Sequence, residues 1–379
     1  MIVQNYLNWV EDAGVAERAL ATNALARAYL HSELPETDRN HAEAAMTVLL
    51  DDPAPSVRYA LAEVLGGAEK APRHIINALA RDLPDIAMMV LCRSPLIADH
   101  ELIELISSGD RVVQTAIACR QPLSPALASA LADTAHEDAC RALMRNEEVS
   151  LRGHTLMVLA RRFGDSGTFR RELLDYPFLP VEVRQQLVQK LATGLADLVS
   201  KTGWISEFRI KRAATEACDK ASVDIARQLN EDQVSRYVEH LRESGQLTAA
   251  ILLRSICQGE IDFFKSALSN LSSLPERRVQ FILVSGRRSA FRAAYDRTEL
   301  PKDAFALFEI AVDCWREAYF NSTCDEGFLP KIVMDRIVTR YHKLGDEMSS
   351  PVTLMLNRLL TEINREAARQ RVKEIRAVA

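Results

Sequence analysis

Apolar residues return every three or four positions along most of this chain, the spacing of one buried face of an α-helix. Between Glu231 and Gly245 the apolar set is Val234, Tyr237, Val238 and Leu241, at i, i+3, i+4 and i+7. Acidic residues open that segment and Gly245 stands where a C-terminal cap belongs, so the pattern predicts a helix with both ends marked. Ser350-Pro351 supplies an N-cap followed by proline at the first helical position. After it, Leu356, Leu359, Leu360, Ile363 and Ala367 form one stripe, predicting a long amphipathic helix to about Ala377. A segment carrying Val279, Ile282 and Leu283 stops at Ser285-Gly286, and the chain restarts at Arg287 or Arg288. Strand-like alternation does not compete with this pattern. Neither Asn-Gly nor Asp-Gly occurs in the sequence, which removes the strongest hairpin signal. The chain reads as all-α.

A longer period is superimposed on the helical one. Asp52-Pro-Ala-Pro-Ser56-Val57-Arg58 is closely matched by Asn146-Glu-Glu-Val-Ser150-Leu151-Arg152. Looser copies are anchored at Ile86, Val113 and Val183-Arg184. The anchors are 29, 27, 38 and 32 residues apart, and an imperfect period in this range signals stacked repeats. Asp52 and Asn146 sit where a helix cap or a tight inter-helix turn is expected, and Pro53 and Pro55 stop the preceding helix. Val57, Leu61 and Leu65 then mark an inward stripe, as do Leu151, Leu156 and Leu159. Arg58 and Arg152 fall one residue past the anchor, within reach of an acidic group on a neighbouring repeat.

The run from Asp52 through Ser56-Val57-Arg58, Ala60-Leu61-Ala62 and Leu65-Gly66 resembles the second-helix signature of HEAT-like repeats, over about residues 40–195. That resemblance implies that Asp52, Arg58, Asn146, Arg152 and, in the last copy, Arg184 are rungs of a structural ladder. Ala87 and Gln114 take the arginine position in the middle copies, where the ladder is expected to break. A second run begins at Leu247-Thr248 and continues through Ile251-Leu252-Leu253-Arg254, Gly259-Glu260-Ile261-Asp262-Phe263-Phe264 and Val279-Gln-Phe281-Ile282-Leu283. It ends with Phe291, Ala294-Tyr295 and Leu300-Pro301. This run is similar to a bacterial family of HEAT-like helical proteins catalogued only as a domain of unknown function. The resemblance implies an α-solenoid that continues into a second helical array, and it brings no catalytic residue with it.

The expected organisation is a repeat array over residues 1–195, a helical junction over 196–245, a second array over 246–345 and the C-terminal amphipathic helix over 346–379. Trp204-Ile205-Ser-Glu207-Phe208-Arg-Ile210 in the junction reads as a cluster that fills the joint between two layers.

Composition narrows the function classes. Seven scattered cysteines without a Cys-x-x-Cys pair behave as small hydrophobes in a reducing compartment. The first residues carry no basic run and meet Glu11-Asp12 early, so no signal peptide is expected. No apolar stretch approaches the length of a membrane span, and the expected location is the cytoplasm. Neither Gly-x-x-x-x-Gly-Lys-Ser/Thr nor Gly-x-Gly-x-x-Gly is present, so the common phosphate-cradling loops are absent. Gly164-Asp165-Ser166-Gly167 shares letters with a serine-protease motif but reads as a helix end and turn, because such sites are defined by geometry. His136 and Cys140 share a helix face, yet a zinc site wants three or four ligands and no second pair accompanies them. No catalytic residue, metal or cofactor is expected.

Charge is unevenly placed. Residues 1–140 carry 20 acidic and 10 basic side chains, while residues 141–379 carry 32 and 37. Arginine outnumbers lysine 37 to 10, which favours planar contacts to carboxylate or phosphate. The densest group is Arg277-Arg278, Arg287-Arg288, Arg292 and Arg297. Arg287-Arg288 follow Gly286, where a restarting helix presents free N–H groups to an anion. The leading expectation is a non-enzymatic scaffold or adaptor that binds a protein or peptide partner, acidic or phosphorylated, with Arg277, Arg278, Arg287, Arg288 and Arg292 at the contact. The alternative is a HEAT-like DNA-binding protein or DNA-repair glycosylase, which the acidic first third disfavours. The final amphipathic helix also suits a purely structural oligomerisation module, and oligomeric state is left open.

Overall fold

The computed structural model describes residues 13–321, 329–343, 356–365, 368–369 and 372, and every long regular element among them is an α-helix. The Ser350-Pro351 cap, Ala367 and the end of the expected final helix lie outside the described residues. Residues 356–365 are helical, with Leu356, Leu359 and Ile363 buried. The chain divides into two compact units, Met1–Leu187 and Val188–Ala379.

The first unit is built from α1 (Val15–His31), α2 (Glu36–Val48), α3 (Pro55–Leu65), α4 (Arg73–Leu79), α5 (Pro84–Leu91) and α6 (Asp99–Ser108). It continues with α7 (Arg111–Ala118), α8 (Pro125–Thr134), α9 (Glu137–Arg145), α10 (Gly153–Phe163) and α11 (Gly167–Leu174), and the division falls inside α12 (Val181–Ser200). Helix starts follow local chemistry. Pro55, Pro84 and Pro125 occupy the first turn of their helices, and the side chains of Asp110 and Ser124 accept backbone N–H groups of Val113 and Leu127.

Helices two places apart pack on one another. One layer runs α1, α3, α5, α7, α9, α11, and the other includes α6, α8 and α10. This is a stack of helix pairs around one continuous apolar core. The third residues of α3, α5, α7, α9 and α11 are Val57, Ile86, Val113, Ala139 and Phe169, at intervals of 29, 27, 26 and 30. Their regularity corrects the register read from the sequence. Leu151 precedes α10 in the connection from α9, so it does not continue the anchor series. Ala139 holds the equivalent place, fully buried. It was invisible as an anchor because a methyl group gives no aliphatic signal.

Successive pairs are tied at their turns. Arg18 donates two hydrogen bonds to the Asp52 carboxylate, at 3.0 and 3.1 Å, and Asp52 Oδ1 accepts the Ala54 N–H at 2.8 Å. Arg58 grips Asp82 through two bonds of 2.7 and 2.9 Å and donates a third to the Asp52 carbonyl. Buried Arg120 donates to the carbonyls of Leu91 and Ser94, and Arg162 to those of Ala132 and Ala135. Asn146 donates at 3.0 and 2.8 Å to the carbonyls of Ala118 and Arg120. Gln114, in place of an arginine, donates to Ile106 O at 2.8 Å and accepts the His136 N–H at 3.0 Å. The tie therefore persists through the middle of the array, carried by an amide where a guanidinium was looked for. Arg152 precedes the first residue of α10, exposed and without a side-chain ion pair among the described residues. Arg184 is half-buried on α12.

The second unit contains α13 (Glu207–Ala226), α14 (Glu231–Glu243), α15 (Ala249–Gln258), α16 (Ile261–Ser272), α17 (Glu276–Ser285) and α18 (Arg288–Tyr295). Beyond them come α19 (Phe305–Asn321) and α20 (Leu329–His342). The expected caps of α14 are in place, for Asn230 accepts the Gln233 N–H at 3.0 Å and Gly245 takes the left-handed conformation at φ 68°. α13 packs on α15 and α14 on α16, so the stretch 207–243 stacks with the helices that follow it. α15 is buried all round from Ile251 to Gln258.

The aromatic cluster after α12 departs from expectation. Trp204 is 90% exposed and Phe208 73% exposed. Apart from the local backbone, no heavy atom lies within 4 Å of where a side chain would begin at Gly194 or Gly203. No layer closes over these rings within the unit.

Candidate functional site

The arginine-rich segment is folded around two glycines. α15 ends at Gly259 (φ 89°) and α17 ends at Gly286 (φ 65°), both left-handed C-caps. α19 lies over both. At Gly259 a Cβ atom would sit 2.8 Å from Cη2 of Trp315, and at Gly286 it would strike the Arg316 guanidinium. Only glycine lets these two neighbouring side chains of α19 approach so closely. Beneath them, Phe264, Phe291, Tyr295, Phe305 and Phe308 form a continuous ring cluster with centroid spacings of 5.2–6.4 Å. Tyr295 donates to the Pro301 carbonyl at 2.7 Å, and burial pushes its phenol up to about 12.

This scaffold sets the fate of each arginine. All five predicted contact residues, Arg277, Arg278, Arg287, Arg288 and Arg292, are exposed, as is Arg297. Two of the five are engaged within the chain. Arg288 pairs with Glu309 at 2.7 Å. Arg292 pairs with Asp296 at 3.3 Å and stacks 4.4 Å over the Phe305 ring. Arg277, Arg278, Arg287 and Arg297 have no ion pair among the described residues.

Their positions oppose the helix dipole. Arg277 and Arg278 stand in the first turn of α17, and Arg287 is the N-cap residue of α18. Neither helix has a side-chain cap on its free N–H groups. Cations at helix N-termini are unfavourable by about 0.3–1 kcal/mol each unless an anion joins them; Glu276 supplies one in the first turn of α17, and α18 has none there. Between the two ends α17 exposes Phe281 (59%) and Val284 (56%). Arg277, Phe281 and Val284 fall at i, i+4 and i+7, so basic and apolar groups share one face of a helix about 15 Å long. The sequence signalled the charges. It did not signal the exposed Phe281, because an apolar residue in a helical pattern reads as core.

A cavity of about 390 Å³ opens beside this face, between α15, α16, α17 and α19. Ile256, Phe264, Leu283, Val284, Val312 and Trp315 give it apolar walls. Lys265 and Arg316 also line it. Burial draws the Lys265 ammonium down, but hydrogen bonds to Glu231 and Asp262 (2.9 and 3.1 Å) outweigh it and hold the group above its ordinary value.

A separate set of charges ties residues 356–365 to the unit. Glu362 receives Arg254 at 2.6 Å and Lys220 at 2.5 Å, while Glu216 receives Arg212 at 3.1 Å and also pairs with Arg358. Beside them, burial pushes the Asp219 carboxyl up to about 6, with Glu216 adding to the rise and Arg254 opposing it.

The nucleophile and metal motifs resolve into structure. Ser166 precedes the first residue of α11 and donates to Glu137 Oε1 at 3.0 Å. The Cys140 thiol is buried against the Leu131 carbonyl at 3.5 Å, and burial pushes it up to about 11, far from thiolate chemistry at neutral pH. Cys257 is pushed by burial to about 12. No group of three His, Cys, Asp or Glu side chains is placed to hold a metal among the described residues. No helix among them is long and apolar enough to cross a membrane.

Residues 86–327, more than half of the chain, match the family described as an uncharacterised protein conserved in bacteria (DUF2336). The chain belongs to that family. The match spans α5 to α19, from the middle of the first stack to the helix that carries Trp315 and Arg316. No curated protein and no solved structure matches the chain.

Proposed function

We propose that this protein is a non-enzymatic, HEAT-like helical scaffold of the cytoplasm that docks an acidic or phosphorylated segment of a protein partner on the exposed face of α17 and the start of α18. The observation that carries the reading is the shared face of Arg277, Phe281 and Val284, with Arg278 beside it and Arg287 at its far end. Aromatic and arginine side chains are the residues enriched at protein interfaces and at their energetic hot spots. Uncapped N-termini at α17 and α18 add donors for carboxylate or phosphate oxygens. Arg288 and Arg292, already engaged by Glu309 and Asp296, serve as supports of the face rather than as its free cations. The six described cysteines are free thiols, which supports a reducing compartment.

The test compares proteins co-purified from a bacterial host with the full chain and with an Arg277→Glu/Arg278→Glu/Arg287→Glu variant of equal thermal stability. The proposal expects a partner retained by the native chain and by Arg152→Glu but lost from the triple variant. Recovery of the same partners by both baits would contradict it. A titration with duplex DNA across salt concentrations separates nucleic acid from protein, because phosphate contacts weaken steeply with added salt.

A further inference from the structure

The cavity between α15, α16, α17 and α19 has the features of a small-molecule site that adjoins the partner-binding face and shares Val284 with it. Its volume of about 390 Å³ lies within the range of roughly 300–1,000 Å³ usual for such sites. The walls are apolar apart from a few polar groups, and two of its lining residues carry donors that the protein leaves unused. Trp315 is 9% exposed, and its indole Nε1 is buried with no hydrogen-bond acceptor among the described residues. Arg316 gives Nη2 to Asp313 at 2.8 Å, but its Nη1 is buried and unbonded. A buried donor without an acceptor costs about 1–3 kcal/mol, so an orphan pair on adjacent residues calls for an explanation. Gly259 and Gly286 show how the pair is held, since any side chain at either would displace the indole or the guanidinium.

We propose that this cavity binds a small amphiphilic carboxylate, an acid with an aliphatic or aromatic body. The body fills the space between Ile256, Phe264, Leu283 and Val312, and the carboxylate accepts from Arg316 and from Trp315. An arginine with one arm fixed by Asp313 and the other free is prepared for a charge-assisted bond to an oxygen anion. Lys265 also lines the cavity but is paired with Glu231 and with Asp262, itself a lining residue, which leaves Arg316 as the cation for the ligand.

Decanoate and decanol, titrated separately into the full chain by calorimetry with Trp fluorescence as a second readout, test the assignment. Decanoate is expected to bind one to one and decanol at least roughly tenfold more weakly, the worth of one charged hydrogen bond. Arg316→Gln should weaken decanoate roughly tenfold and leave decanol unchanged. Val312→Trp and Leu283→Phe fill the cavity from two sides and should abolish decanoate binding, with circular dichroism confirming the fold of whichever variant is scored. Absence of decanoate binding to the native chain would overturn the proposal. So would equal binding of acid and alcohol, or unchanged affinity in a folded cavity-filled variant.

Discussion

At the scale of single residues, the first unit is held by side chains that reach across to a neighbouring repeat. Arg58 is 14% exposed and satisfies two Asp82 oxygens and one carbonyl at once. Its removal strands a half-buried carboxylate, so Arg58→Ala is expected to lower stability by about 2 kcal/mol in urea unfolding. Arg152→Ala, at an exposed position, is expected to change it by no more than about 0.5 kcal/mol. Equal effects would show that the ladder does not pass through Arg58. The Arg58 hydrogen bonds hold the Asp82 carboxyl below its ordinary value, outweighing burial. Its contribution is therefore complete above the ordinary carboxylate range and is lost as pH falls below about 4. Asp219 has the opposite sign. Raised to about 6 by burial, it binds its proton more tightly when folded, so this group makes stability fall as pH rises from about 4 to about 6. Asp219→Asn is expected to raise stability at pH 7 on the order of 1–2 kcal/mol, after allowance for solvent still reaching the group. Thermal melts at pH 4 and pH 7 check this, since the gain should vanish at the lower pH.

At the scale of elements, helix existence and many helix ends were legible in the sequence. The α14 caps, the stop at Pro53 and Pro55 ahead of α3, and the break at Gly286 are local chemistry, and local chemistry is written in neighbouring letters. Repeat register was less legible. Ala139 and Phe169 occupy the same structural place as Val57, but one is too small and the other too large to look like its copy. Gln114 was read as a gap in the ladder because an amide does not resemble a guanidinium, yet it offers a donor and an acceptor at the same turn. The two glycines under α19 separate backbone strain from packing. Gly259→Ala must adopt φ 89° against a rigid indole, and is expected to cost about 3 kcal/mol. Gly286→Ala meets only the end of a flexible arginine, so its expected cost is about 1 kcal/mol. Comparison of the two melting temperatures decides the matter, and a larger loss at Gly286 would refute this picture of the α19 contact.

At the scale of the whole molecule, the two units differ in charge as well as in construction. The excess of acid lies within residues 1–140, inside the first unit, and the basic face belongs to the second. All-α architecture and the basic segment are readable in the sequence. Which arginines are free was not, because Glu309 lies 21 positions beyond Arg288 and only the fold brings them together. The cavity was equally hidden, since its walls come from four helices and its unused donors show only when every acceptor around them is counted. The central claim is that the α17–α18 face receives an acidic protein segment, and a photo-crosslinking amino acid in place of exposed Phe281 tests it at the contact itself. In host cells the full chain carrying that probe is expected to crosslink one partner, and the Arg277→Glu/Arg278→Glu/Arg287→Glu background is expected to abolish the product. An undiminished crosslink in the charge-reversed background would contradict the claim, as would a partner captured from exposed Tyr59 of the first unit but never from position 281.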